Sequence, residues 1–333
     1  VLVICILEPK TDQALSGNFL FNKELVAASH GKIECISLSK QDMDSFIPGD
    51  TLLIDSAWLY SAPAKALAKS EGNGWLVHSL PDRIEDWKKT FSESTHLLAS
   101  SAAVADRLRA ELPDHKIITL LPGIDPRIRS LPPQDREHDL LRLITVANVM
   151  PRKGLKEAAI FLRKLEEEHG LAFHWYIVGQ PMPDREYNGS PEIDEAYVDE
   201  FTSLIDLYEW HDDVTLVGSF SMEQQIRMYL NMDVAFFPSL KEDFGKVLLE
   251  TAQLGLPILT TDVGIARSLF AKEEHALILP APLTEASLGE AAEFLKNYQG
   301  LEINVRKKRS HALLSRSWTA VADELIRSLR IIN

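Results

Sequence analysis

The chain has 333 residues, 45% of them hydrophobic and 25% charged, an ordinary globular composition that argues against long disorder. Its length corresponds to about two domains. The formal net charge is −14, split as −3 over residues 1–130 and −11 over the remainder, which argues against a bulk electrostatic grip on nucleic acid.

In chain order, Val1–Leu7 is an apolar run too short to span a bilayer at about 20 residues. No basic residue precedes it and no small-residue cleavage site follows, so it is expected to be a strand rather than a signal peptide. Ser16-Gly17-Asn18 is expected to be a turn and N-cap before a helix over Phe19–Ser29. Strands follow over Lys32–Leu38 and Thr51–Ile54, with a polar surface loop at Asp42-Met43-Asp44 between them. The pattern continues with a helix over Ala62–Ser70, a strand over Gly74–Ser79 and a helix starting in Pro81–Phe91, where Pro81 stands early. A strand over Thr95–Ala99, a helix over Ala102–Leu112 and a strand over Lys116–Leu120 complete the first half. Cys5 and Cys35 are the two cysteines. Both lie in apolar runs outside any CxxC or Cys/His cluster, which fits buried thiols in a reducing compartment and gives no support to a structural zinc site.

The alternation breaks from Pro126 to Asp139, a stretch with three prolines and several charges that reads as a linker. It then restarts with a strand over Leu141–Val146, a helix over Leu155–His169 and a strand over Ala172–Val178. A polar loop leads to a helix over Ile193–Trp210, a strand at Val214–Leu216 and a helix over Met222–Asn231. Next come a strand over Asp233–Phe237, a helix over Lys246–Leu254, and strands at Pro257–Thr261 and Ala276–Leu279. Helices over Ala286–Tyr298 and Trp318–Ile331 end the chain. Alternating strands and helices imply mostly parallel sheets with helices on both faces. The expected fold is therefore α/β, two doubly wound Rossmann-like domains facing across a cleft. The expected division is 1–125, a linker over 126–139, 140–315, and a C-terminal helix over 316–333 crossing back to the first domain.

Neither half has a G-x-G-x-x-G after its first strand, and there is no G-x-x-x-x-G-K-[ST], H-E-x-x-H or G-x-S-x-G. Dehydrogenase, P-loop NTPase, zincin and α/β-hydrolase readings lose their signatures. The informative segment is Asp233–Thr261, DVAFFPSLKEDFGKVLLETAQLGLPILTT. A buried strand runs through Pro238-Ser239 into a loop with Glu242, Asp243, Phe244 and Gly245, then into a helix from Lys246 carrying Glu250. Such a turn aims the N–H groups of Lys246, Val247 and Leu248 at an anion site, and Gly245 removes a Cβ from the approach. Glu242 could accept hydrogen bonds from sugar hydroxyls and Glu250 from the hydroxyls of a ribose, with phosphates between them.

These residues resemble the retaining GT-B glycosyltransferases of family 4. Pro238-Ser239, Glu242, Phe244-Gly245, Glu250 and Gly255-Leu256-Pro257 match that family's E-x7-E element and its flanks, with Thr251 where Ala is usual. Val146-Ala147-Asn148-Val149-Met150-Pro151-Arg152-Lys153-Gly154 looks like its V-G-R-x-x-P-x-K-G. The resemblance implies that Lys153 holds the donor diphosphate. Asn148 stands where Arg is typical and brings an amide without a charge. Arg152 is adjacent to Lys153, and adjacent residues rarely point the same way. Ile177-Val178-Gly179 and Val214–Gly218 match two family turns, which implies backbone contact with the base at Gly218 and Ser219. Gly17 resembles the glycine turn near the donor phosphate, and His78 the histidine placed near the donor sugar.

The resemblance thus implies a sugar transferase that takes a nucleotide-diphosphate-sugar, UDP favoured, and retains configuration by front-face attack. His78, Lys153 and Glu242 are the implied catalytic residues. Gly17, Asn148, Lys153, Gly218, Ser219, Glu242–Leu248 and Glu250 are the implied donor-binding set. No metal and no other cofactor is implied. The expected acceptor is a glycan or lipid-linked hydroxyl in surface polysaccharide or glycoconjugate synthesis. A cytoplasmic location is expected, with Lys88-Lys89 after Trp87 as a candidate peripheral membrane contact. The alternatives are a sugar-nucleotide epimerase or hydrolase of the same fold, or a degenerate non-catalytic subunit.

Overall fold

The computed structural model describes residues 4–10, 17–44, 46, 51–124, 128, 140–184, 190, 192–270, 275–298 and 312–330. They form two compact units. One draws on the described residues of Val1–Ile124 and Ser315–Asn333, the other on those of Asp125–Asp184 and Ser190–Leu314.

The first unit runs β1 (Ile4–Pro9), α1 (Gly17–Ala28), β2 (Ile33–Leu38), α2 (Lys40–Asp44), β3 (Thr51–Asp55), α3 (Ala62–Leu67), β4 (Gly74–Val77), α4 (Lys88–Ser92), β5 (His96–Ala99), α5 (Ala102–Glu111) and β6 (Ile117–Thr119). Its strands pair in parallel in the order β2-β1-β3-β4-β5-β6. Successive strand residues face opposite sides, so each strand feeds two cores. Leu52, Ile54, Trp75, Val77, Leu97 and Ala99 pack on one side. Ile4, Ile6, Leu53, Leu76 and Leu98 pack on the other against Phe21 and Leu25 of α1. The last described helix, Trp318–Arg330, joins that second core through Trp318, Val321, Leu325 and Leu329. Those positions recur at helical spacing and make one apolar stripe.

The second unit runs β7 (Leu141–Val146), α6 (Leu155–His169), β8 (Phe173–Val178), α7 (Glu195–Leu207), β9 (Val214–Gly218), α8 (Met222–Leu230), β10 (Val234–Phe237), α9 (Lys246–Leu254), β11 (Ile258–Thr261), α10 (Ala266–Phe270), β12 (Ala276–Leu279) and α11 (Leu288–Lys296). The parallel order is β12-β11-β10-β7-β8-β9. Thr145 is fully buried in the centre of this sheet. Its hydroxyl donates to the Phe236 carbonyl (2.7 Å) and accepts from the Trp175 indole (2.8 Å), so the polar group is satisfied.

In both sheets the chain reverses direction of winding at one point, between β1 and β3 in the first unit and between β7 and β10 in the second. Ligands of open α/β sheets bind at the carboxyl ends of strands at such switch points.

Some expectations are corrected. Residues 81–87 do not form the first turns of a helix. A 3-10 turn takes Ile84–Asp86, and the helix is confined to Lys88–Ser92. The reason is tertiary. The Pro81 carbonyl is taken by the buried Trp87 indole (3.2 Å) and by Arg107 (2.8 Å), so it is not left for a helical N–H. Asp42-Met43-Asp44 is not a surface loop but lies in α2, with Met43 buried and Asp42 accepting from the Ser39 hydroxyl (2.6 Å). Gly17 and Asn18 open α1 rather than forming a turn before it, and Ser16 lies outside the described residues. Of the expected linker, all but Ile128 lies outside them, and Ile128 packs on Ile226 and Leu230.

Candidate functional site

At the second unit's switch point two loops leave adjacent strands. The β7 loop passes Asn148 and a 3-10 turn over Pro151–Lys153 before entering α6. The β10 loop passes Ser239 and Glu242 before entering α9. The loops are tied together, because the Leu240 N–H donates to the Arg152 carbonyl (2.8 Å). Gly154 makes this approach sterically feasible. It sits at φ +66°, and a Cβ there would lie 2.3 Å from the Pro238 carbonyl oxygen. Gly245 also takes a left-handed conformation before α9, at φ +80°, where a Cβ would lie 2.8 Å from the Leu248 side chain.

Gly154 and Gly245 give α6 and α9 no side-chain N-cap, whereas α7 and α8 are capped by Asp194 and Ser221. At α6 the Tyr197 hydroxyl accepts from the Lys156 N–H instead (3.1 Å), so among the described residues α9 is the end left without a side-chain partner. The first N–H groups of a helix lack intrahelical partners, and the dipole makes that end attractive to anions. Side chains add charge to the same place. Lys153 Nζ donates to Glu242 Oε1, which also accepts from the Ser239 hydroxyl (3.1 Å). Arg152 Nε donates to Asp184 (2.9 Å), and its Nη1 lies 3.7 Å from Glu242 Oε2. Adjacent residues here do converge, against the expectation. The tight 3-10 turn and the Asp184 anchor swing Arg152 toward the same carboxylate as Lys153.

The side chains of Lys153 and Glu242 are 14% and 9% exposed, so little solvent screens the pair. Burial pushes the Lys153 ammonium below its usual range, aided by the neighbouring Arg152 and opposed by Glu242. Burial would raise the Glu242 carboxyl, but Lys153 and Arg152 outweigh it and hold the group below its ordinary value. The cluster is therefore an ionised carboxylate between two cations.

Glu250 is held separately. Its Oε2 accepts from Gln225 Nε2 (2.7 Å) and the Tyr229 hydroxyl (3.3 Å), and Oε1 lies 3.7 Å from Lys246 Nζ. Asn148 is half-buried two residues beyond β7, and Asp243 is buried. Phe244 anchors its loop through its carbonyl, which accepts from the Ile265 N–H (3.0 Å). Lys246, Val247 and Leu248 form the first turn of α9. Gly218 ends β9 and accepts from the Gly179 N–H (2.9 Å), with Ser219 following. These second-unit candidates therefore follow the carboxyl ends of β7, β9 and β10.

His78 and Gly17 belong to the first unit. Four neighbouring strands, β2, β1, β3 and β4, bring Ser37, Glu8, Asp55 and His78 to their carboxyl ends. Asn22 of α1, fully buried, joins them. Its Nδ2 donates to Glu8 Oε2 (3.0 Å) and Asp55 Oδ2 (2.8 Å), and its Oδ1 lies 3.2 Å from His78 Nε2. Glu8 Oε1 accepts from the Ser37 hydroxyl (2.9 Å), and Asp55 Oδ1 from the Ala57 N–H (2.8 Å). Burial pushes the Asp55 carboxyl up to about 7, the Ala57 and Asn22 hydrogen bonds opposing it. Burial pushes the His78 imidazolium down to about 3, against the pull of Glu8.

Sequence reasoning missed Arg152 and Asp184 beside Lys153 and Glu242, Gln225 and Tyr229 beside Glu250, and the Glu8–Asn22–Asp55 set beside His78. Adjacency to a motif lysine was the one signal for Arg152. The others arrive from separate elements. Among the described residues, no group of three or more His, Cys, Asp or Glu side chains is placed to hold a metal ion.

Comparison with known proteins gives the family and the fold. The family described as Glycosyl transferases group 1 matches residues 129–311. The amylovoran biosynthesis glycosyltransferase AmsK of Erwinia amylovora is 29% identical over 230 residues, 64% of this chain and 53% of that protein. The GDP-mannose-dependent alpha-mannosyltransferase of Mycobacterium tuberculosis is 32% identical over 99 residues, 29% of this chain and 25% of that one. The chain thus spans about half the length, or less, of these relatives. The Anabaena Alr3699/HepE structure in complex with UDP-glucose superposes with a TM-score of 0.73 at 12% identity, covering 99% of this chain and 100% of that one. The fold is GT-B, two Rossmann-like α/β units.

Proposed function

The chain belongs to the glycosyl transferases group 1 family, and from that premise we propose that it moves a sugar from a nucleotide-diphosphate donor to a hydroxyl, with retention of configuration. The observation that carries this reading is the switch-point cluster of Lys153, Arg152 and Glu242 beside the N-terminus of α9, which has no side-chain cap. A diphosphate bound there would meet two cations and the N–H groups of Lys246 and Val247 at the start of α9, while at α6 the Lys156 N–H is already taken by the Tyr197 hydroxyl (3.1 Å). Arg152 then supplies the charge that Asn148 lacks. Preorganised charge at a departing diphosphate stabilises the transition state without a metal.

In the proposed front-face route the acceptor oxygen forms its bond to the anomeric carbon as the bond to the diphosphate oxygen breaks. The acceptor proton passes to an oxygen of the leaving diphosphate. Glu242 orients the donor sugar, exchanging its bond to Lys153 for bonds to sugar hydroxyls. That exchange frees the ammonium for the diphosphate. Glu250, with its carboxylate positioned by Gln225 and Tyr229, takes the ribose hydroxyls, and the Gly218-Ser219 backbone takes the base. The reading of Glu242 and Glu250 as the family-4 E-x7-E pair rests on this separation of partners.

UDP-sugar is the favoured donor, because the Anabaena structure that shares the fold holds UDP-glucose. The acceptor is proposed to be a glycan or lipid-linked hydroxyl in polysaccharide synthesis, by analogy with the amylovoran relative. No helix among the described residues is long and apolar enough to cross a membrane. Peripheral contact through Lys88 and Lys89 at a cytoplasmic membrane face is a separable proposal, and Lys88 spends part of its charge on Glu111 (2.8 Å).

The test is a panel of UDP-, GDP- and ADP-sugars, with binding by calorimetry and slow hydrolysis by product analysis, wild type beside Glu242→Ala. One donor that binds and is hydrolysed by the wild type, with hydrolysis lost in the variant, is the expected result. A product with inverted configuration would overturn the retaining mechanism. Silence across the panel would favour a non-catalytic subunit.

A further inference from the structure

The first unit buries a polar cluster that its fold does not require. Glu8, Asn22, Asp55 and His78 are each less than a tenth exposed. They lie where two apolar cores end, at the carboxyl edge of β1, β3 and β4. Burying such groups is unfavourable unless every one is satisfied. Apolar residues would hold this corner as well. The cluster also sits at the switch point, where ligands of such sheets bind.

The directions of its hydrogen bonds are fixed by chemistry. A carboxylate only accepts, so the end of Asn22 that meets Glu8 Oε2 must be its NH2 group, and the same group reaches Asp55 Oδ2. Both of that group's protons are then used. The other end is the carbonyl oxygen, which also only accepts. The ring nitrogen 3.2 Å from it must therefore carry a proton, and that nitrogen is Nε2. Asp55 Oδ2 lies 3.5 Å from the same Nε2. Phe21 packs edge-on to the ring (centroids 5.0 Å apart) and limits its rotation. Burial keeps the ring neutral at physiological pH, so Nδ1 carries a lone pair. Among the described residues Nδ1 has no hydrogen-bond partner.

We infer that Asn22 is a positioning residue that locks the His78 ring with its proton on Nε2, so that Nδ1 is presented as the acceptor of a hydrogen bond from a substrate hydroxyl. Toward the substrate the ring is then neither a cation nor a donor, its Nε2–H being given to Asn22. It selects for a sugar that carries a hydroxyl at the contacted carbon. The catalytic side of this inference rests on the transferase reading above. The tautomer itself does not.

The experiment has two arms. The first is long-range 1H–15N NMR of the uniformly 15N-labelled protein without substrate, with the His78 signals assigned by their loss in His78→Gln. The expected result at pH 7 is a protonated Nε2 and a bare Nδ1. A bare Nε2, or an imidazolium, overturns the inference whether or not the protein transfers sugar. The second arm is Asn22→Leu, checked for native circular dichroism. Its His78 ring should populate both tautomers, and the rate should fall between about tenfold and a hundredfold, as for a misplaced catalytic contact. A loss in donor hydrolysis places the hydroxyl on the donor, and a loss confined to transfer places it on the acceptor. An unchanged tautomer and rate overturns the positioning role. If Asn22→Leu does not fold, the wild-type ring state still decides. If no sugar nucleotide is turned over by wild type, the transferase reading fails while the NMR arm stands.

Discussion

The two units share a doubly wound topology and each gathers buried polar groups at its switch point, yet only the second unit's cluster contains cations. In the second unit Arg152 and Lys153 face Asp184 and Glu242, beside the α9 N-terminus, which has no side-chain cap. In the first unit the described cluster holds two carboxyl groups, an amide and an imidazole, with no lysine or arginine among them. One arrangement suits a phosphate anion, the other an uncharged hydroxyl. The backbone fixes where a ligand can sit, and a handful of strand-end side chains fix what kind of ligand it is.

The largest test of this contrast is removal of the carboxylate between the two cations. Glu242→Ala strands Lys153 in a poorly solvated site, with Arg152 still held by Asp184, and a urea titration should show a loss of about 3–5 kcal/mol. An unchanged midpoint would mean Lys153 and Glu242 are not paired in solution. Lys153→Met keeps the packing and removes the ammonium, so donor hydrolysis should fall by about 10²–10³-fold, the scale for one preorganised charge at a leaving group. Loss of donor binding with unchanged turnover would instead assign Lys153 to ground-state binding.

The first unit's cluster should reveal itself through pH. The folded state keeps the Asp55 proton up to about 7, while the unfolded chain loses it near the ordinary 3.8. Asp55 therefore makes stability fall as pH rises through that window. His78 does the opposite between about 3 and its ordinary 6.5, because there the unfolded chain binds the extra proton. The two arms oppose each other in the wild type. His78→Gln removes the rising arm, so its stability relative to wild type should decline by a few kcal/mol between pH 4 and pH 7. Parallel urea curves for the two proteins across that range would refute the assignment.

Two smaller effects sharpen the comparison. Gly154→Ala forces a Cβ against the Pro238 carbonyl at positive φ and should destabilise by about 1–3 kcal/mol, read as a lowered Tm. Last, Lys88→Ala with Lys89→Ala should weaken binding to anionic vesicles by about 1 kcal/mol per lysine. Sedimentation with vesicles that shows no change would remove the proposed membrane contact.

The element pattern was readable because strand and helix periods are local. The helix at Lys246–Leu254 follows from the sequence with its ends in place, and so does the alternation that makes both sheets. The break at Pro81–Trp87 was not readable, because a distant Arg107 and the burial of Trp87 decide it. Lys153 and Glu242 could be singled out by motif, but not their direct contact, nor the turn that brings Arg152 alongside.

The sequence alone thus determined an α/β chain in two doubly wound halves with an anion-suited turn at Gly245. Those properties depend on residues close together in the chain. Only tertiary structure decided that Asp184 anchors Arg152, that Gln225 and Tyr229 hold Glu250, and that Glu8, Asn22 and Asp55 surround His78. Parallel strands order themselves in space by crossover connections rather than by sequence. Their carboxyl ends therefore collect side chains that are tens of residues apart, and local patterns cannot show which ones meet.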